Sequence, residues 1–144
     1  MIGKGNPREY ERALSELSLR DPVRRASAAA TVGVFGSDKD LPRLKPLVSD
    51  EAEAVRVSAL YALALLGDKG AIDKLFPFVS HSREQYRKLA LTALEGATRL
   101  NHGGPHGDEE ACKKAQEAWK AWWEKSKGGL SWDKQKKQWV AKTE

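Results

Sequence analysis

The middle of the chain repeats itself every 31 residues. Arg25, Arg56 and Arg87 stand at that spacing, as do Ala28, Ala59 and Ala90, and Val32, Leu63 and Leu94. The intervening segments keep the same register: Leu41 with Ile72, Leu44 with Leu75, Pro46 with Pro77, Leu47 with Phe78, Val48 with Val79 and Ser49 with Ser80. A period of this length is one supersecondary unit that cannot bury its apolar face alone and stacks on copies of itself. It confines the chain to a solenoid and leaves function to the residues that break the repeat.

The units read as helical. Asn6-Pro7 is a cap followed by a first-turn proline, and Tyr10, Leu14 and Leu17 follow at helical spacing. Asp21-Pro22 opens a second helix through Val23, Ala28, Val32 and Phe35 that Gly36 stops. Ser37 caps a short helix with Leu41, Leu44, Leu47 and Val48. Asp50, with Glu53 as a capping box, starts a long helix whose apolar face is Val55, Ala59, Ala62, Leu63 and Leu66, ended by Gly67. Asp68 begins a short helix with Ile72, Leu75, Phe78 and Val79. Ser82, with Gln85, starts the third long helix through Tyr86, Ala90, Ala93, Leu94 and Ala97. The short connections force antiparallel neighbours, and the matched alanines let helices approach closely. Pro46 and Pro77 should bend the short helices, because each removes an N–H and clashes one turn back.

After residue 100 the repeat stops. Residues 101–107 hold four Gly or Pro and read as a loop. Asp108 caps a last helix with Ala111, Ala115, Ala118, Trp119 and Trp122 on one face, stopped by Gly128-Gly129. Leu130–Trp132 and Gln138–Val140 flank the polar stretch Asp133–Lys137 and read as a short hairpin or an ordered tail. Two parts of one structural unit result: a repeat solenoid over 1–100, and a loop, Trp-rich helix and basic tail over 101–144.

Hydrophobic content of 40% and charge of 31% place the chain among globular proteins. A single cysteine, Cys112, rules out an intramolecular disulfide framework. The opening residues carry no signal-peptide pattern, and no run is long and apolar enough to span a membrane. The expectation is a soluble cytoplasmic protein, or a domain excised from a longer chain. The net charge of +5 is spread: 16 basic against 13 acidic residues up to position 100, and 9 against 7 beyond. That permits acidic partners without the dense basic face of a nucleic-acid binder.

Val55-Arg56, then Ala59, Ala62-Leu63 and Gly67-Asp68, resembles the long helix of a HEAT-like repeat of the short type first described near phycobilin lyases. The first copy has Thr31 for the second alanine, and the third has Thr98 where glycine is expected. The resemblance covers roughly residues 8–99. It implies an all-α, right-handed α-solenoid of about three helical hairpins whose long helices line the concave side. The tail, with Trp119, Trp122 and Trp123 after a Gly-rich loop, resembles an extension that follows HEAT arrays in some bacterial proteins, and implies a capping element without an activity.

Two readings stand for the arginine ladder of Arg25, Arg56 and Arg87. It can offer donors for carboxylates or phosphates on the concave face, or it can tie each helix to an Asp or to carbonyls of the adjoining turn, for which Asp21 and Asp50 are placed. Arg24, Lys88 and Arg99 would add a mildly basic groove, and Tyr61, off the main apolar stripe, is an interface candidate. Tyr86 should be half-buried. Trp119, Trp122 and Trp123 form the structural cap that an open-ended solenoid needs, against the alternative of base stacking beside Lys120, Lys125 and Lys127. His102, His106 and Asp108 read as a solvated loop rather than a metal site, and Cys112 as a structural thiol. No catalytic triad or paired acids are flagged by spacing, and no cofactor is implied.

The expected function is a non-catalytic scaffold that binds another protein, with nucleic-acid binding through the arginine ladder and the Lys/Trp-rich tail as the alternative. An enzyme of the glycosylase or bilin-lyase kind is disfavoured, because Glu95 is the only acid in the second half of a long repeat helix.

Overall fold

The computed structural model of the chain describes residues 7–100 and 108–141. The expected start at Asn6 and the loop with His102 and His106 lie outside them. Three long helices, α2 (Pro22–Phe35), α4 (Glu53–Leu65) and α6 (Glu84–Thr98), stack side by side. Helix α1 (Pro7–Glu16) packs on α2, the segment 38–49 containing α3 (Leu41–Leu44) packs on α4, and α5 (Phe76–Val79) packs on α6. Helix α7 (Glu109–Ser126) packs on α5, extending the layer of short elements. This is an α-solenoid of three helical hairpins.

The solenoid closes at one end. Helix α7 is followed by an antiparallel hairpin, β1 (Leu130–Asp133) and β2 (Gln138–Ala141), in which Trp132 faces Trp139. The tail is therefore helix plus hairpin, a small β element on an otherwise helical fold. Strand β2 packs on α6, where a fourth long helix would otherwise sit.

Asp21, Ser37, Asp68 and Asp108 cap the elements they were expected to cap. Asp50 and Ser82 do not. Helices α4 and α6 start after Ala52 and Arg83, which lack side-chain caps, so the Asp50–Glu53 box does not form. Asp50 is drawn aside by Arg25 of the preceding repeat and accepts the Ala52 N–H at 2.9 Å. In the next copy His81 Nδ1 takes the matching place, accepting the Arg83 N–H at 2.9 Å. The short elements are mixtures of 3-10 and α turns, and the helix type changes immediately before each proline: α3 ends at Leu44 ahead of Pro46, and a 3-10 turn ends at Leu75 ahead of Pro77. A missing N–H breaks the i to i−4 ladder there.

Close approach uses small residues. A Cβ on Gly33 would lie 2.6 Å from the Ala62 Cα, so α2 and α4 touch backbone to backbone. Gly67 adopts φ +97°, and a Cβ there would meet the Trp132 indole at 2.6 Å. In the third repeat Thr98 takes the matching place, and the left-handed conformation falls one residue later, on Arg99 at φ 63°. The core runs without a break from Ala13 and Leu17 through the repeat interiors to Trp119, Trp123 and Trp139. Tyr86 is fully part of it, at 7% exposure, rather than half-buried.

Candidate functional site

The arginine ladder follows one local rule three times. Arg25 Nη1 donates to the Leu19 and Arg20 carbonyls, Arg56 Nη1 to those of Asp50 and Glu51, and Arg87 Nη1 to those of His81 and Ser82. Each guanidinium thus closes the turn that precedes its own helix. Arg25 also makes a two-point contact with Asp50 at 3.1 and 3.0 Å, with both side chains largely covered. That hydrogen bond holds the Asp50 carboxyl below the ordinary carboxylate range, against the opposing effect of burial. The matching position one repeat on is His81, so Arg56 has no such carboxylate; His81 Nε2 instead lies 3.2 Å from Glu53. The ladder's Nη1 donors are spent on the chain's own backbone and cannot clamp an incoming phosphate without opening these turns.

A different stripe faces outward. Three rows of matched positions run across the long helices: Val23, Ala54 and Gln85; Ala30, Tyr61 and Thr92; Val34, Leu65 and Gly96. Within each helix these positions lie seven and four residues apart, on one face. None of the nine is buried, whereas the rows of Ala28, Val32 and their copies are buried throughout. Val23, expected on the apolar face of α2, is 72% exposed, and Val34 is 47% exposed. The stripe is apolar on α2 and α4 and polar on α6. Tyr61 lies at its centre, partly buried, and burial raises its phenol above the ordinary tyrosine value. Arg24 is exposed near Asp21 at 4.0 Å, and Lys88 is exposed and pairs with Glu84 at 2.9 Å.

Three of the tryptophans are buried in the core. Trp119 is fully buried, Trp123 is 4% and Trp139 8% exposed, and Trp122 packs against the core with its ring edge-on to Trp119 at 5.7 Å. The Lys69 ammonium lies 5.9 Å from the Trp123 ring centre and 5.8 Å from that of Trp139, and donates to the Lys127 carbonyl, so one lysine pins the repeats to the tail. The buried indoles of Trp119, Trp123 and Trp139 are not placed to stack bases, whereas Trp122 and Trp132 are only partly buried.

Among the described residues no group of three or more His, Cys, Asp or Glu is placed to hold a metal ion, and no helix is long and apolar enough to cross a membrane. Cys112 is buried in the first turn of α7. Val34 and Leu65 lie outside the site residues expected from sequence, and Val23 is exposed rather than on the apolar face. Their signal was present in the departures from the 31-residue pattern, where valine and leucine replace residues that turn polar or small on α6.

A family model described as HEAT repeats matches residues 10–95. No curated protein and no solved structure matches the chain.

Proposed function

The chain belongs to the HEAT-repeat family, and on that premise we propose that it is a non-catalytic module that binds another protein on the exposed face of its long helices. Stacked helical repeats commonly present an extended surface for a protein partner. One observation carries the choice of face. Two of the three exposed large hydrophobics among the described residues, Val23 and Val34, lie on the same stripe of α2, and that stripe continues on α4 as Tyr61 and Leu65. An exposed apolar strip with a half-buried tyrosine at its centre is the composition of an interface core. Arg24 lies at the α2 end of the strip, and Lys88 on α6 at its polar side. Arg25, Arg56 and Arg87 each close the turn before their own long helix, and Trp119, Trp122 and Trp123 cap the stack.

The test is capture of partners from cells that express the tagged protein, with the wild type beside the double variant Val23→Glu, Val34→Glu. Both sites are exposed, so each change should cost no more than about 0.5 kcal/mol of stability. A protein held by the wild type and lost by the folded variant is the expected result. Equal capture by both would move the binding face elsewhere. A salt titration with duplex DNA and RNA runs alongside; tight binding with a steep salt slope would replace the protein partner with a nucleic acid.

A further inference from the structure

Where the hairpin folds back over the C-terminal ends of α2 and α4, it encloses a pocket of about 170 Å³. Leu65, Leu66 and Trp132 supply its apolar walls, and Ser37, Asp38, Lys134 and Lys137 its rim. Trp132 is fixed there because it lies against Gly67, where a side chain would clash. The volume is small for a cofactor or drug-sized ligand and suits one bulky side chain.

The charge around the mouth is net positive. Asp133 turns its carboxylate inward, accepting the N–H groups of Gln135 and Lys136 at 2.9 and 3.0 Å, which shapes the turn. Lys134, Lys136 and Lys137 are left on the outside of that turn, with Lys39 nearby on the solenoid. Asp38 is the one carboxylate on the rim, and it pairs with Lys134 at 2.9 Å. Lys137 adopts φ 54°, a left-handed conformation that glycine would hold more cheaply. Among the described residues its ammonium donates to the Gly36 carbonyl, at 3.4 Å. A lysine in so costly a backbone position, making so weak a contact, points to a use for its charge outside the chain.

We propose that this pocket receives one bulky apolar side chain of a partner's peptide segment whose flanking carboxylates pair with Lys134 and Lys137. The site shares Leu65 with the long-helix strip but does not depend on it. Glutamates at Val23 and Val34 leave the pocket's lining intact, so the two readings fail separately.

Lys137→Gly makes a clean test, because it removes the cation while relaxing the backbone. The probe is a fluorescein-labelled hexapeptide with two central leucines flanked by pairs of aspartates, titrated against the full chain by fluorescence anisotropy. The wild type should bind it, and Lys137→Gly should weaken binding by about three-fold or more with melting temperature unchanged or raised. Peptides with serines for the leucines, or lysines for the aspartates, should bind at least about ten-fold more weakly. Binding that is undetectable at millimolar protein, unaffected by Lys137→Gly, or equal for the serine peptide would overturn the proposal. So would a labelled decathymidine that binds as tightly as the acidic peptide, since that would assign the basic turn to a nucleic acid.

Discussion

At the scale of single residues, the repeat uses charge to define turns. Arg25 and Asp50 show how far this reaches, because the pair joins the turn before α2 to the turn before α4 across 25 residues. Asp50→Asn keeps an acceptor for the Ala52 N–H but loses the charge facing Arg25. We expect a cost of about 1–2 kcal/mol at neutral pH. The pH dependence has a definite sign. The Asp50 carboxyl is held below its ordinary value near 4, so its contribution is complete above that value and lost as pH falls through the lowered one. Urea unfolding of the two proteins should therefore differ at pH 7 and converge below about pH 4; a gap that stays constant down to pH 3 would assign the loss to packing instead. The same pair explains why the helix starts were misread in sequence. Asp50 and Glu53 have capping-box spacing, but the Asp50 carboxylate, held by Arg25 from one repeat away, accepts the Ala52 N–H instead, and α4 starts later, after Ala52. Local spacing carries no trace of that competition.

At the scale of elements, what could be read in sequence is what repeats. The long helices, their buried faces and their order follow from the 31-residue period, because packing against identical neighbours demands the same residue each time. The tail has no such template. Its helix was legible through Asp108 and the alanine and tryptophan spacing, whereas the register of Trp132 against Trp139, and the seat of Trp132 on Gly67, depend on contacts far apart in sequence. The exposed strip fell between these cases: its positions follow the repeat, but its chemistry is written in the departures. Helix α7 shows what a cap must do. It puts Trp119, fully buried, against the last repeat, with Ala115 and Trp123 beside it. Trp119→Ala should destabilise the protein by about 3–5 kcal/mol, since the lost apolar area leaves a cavity between elements that cannot easily collapse. Chemical denaturation checks this, and a loss under 1 kcal/mol would mean that the tail is not part of the cooperative core.

At the scale of the whole molecule, the two ends of the solenoid are unequal, and stability should follow. In a stack of repeats each unit is held by its own packing and by its neighbours, so the middle is the most secure and an uncovered end the least. Helix α4 has neighbours on both sides and buries eight of its thirteen residues. Helix α6 is covered by α4 on one side and β2 on the other. At the opposite end, among the described residues, α1 buries Ala13 alone among its ten residues and packs mainly on α2, with Tyr10 also donating to Asp40 at 2.9 Å, and the groove between α1 and α2 is lined by Glu9, Arg12, Glu16, Ser27, Thr31 and Phe35. Amide hydrogen exchange should therefore show a gradient rather than one plateau. The α4 amides should open only with global unfolding and shift with added denaturant. The α1 amides should exchange through local openings of low free energy that denaturant hardly affects, with α2 between the two. Protection of α1 equal to that of α4 would show instead that the N-terminal end is covered in solution, by a partner or a further stretch of chain, and that groove would then be an interface. The gradient also bears on binding. Val23 and Val34 lie on α2, next to the less secure α1, so a partner seated across α2 and α4 should raise α1 and α2 protection more than that of α6.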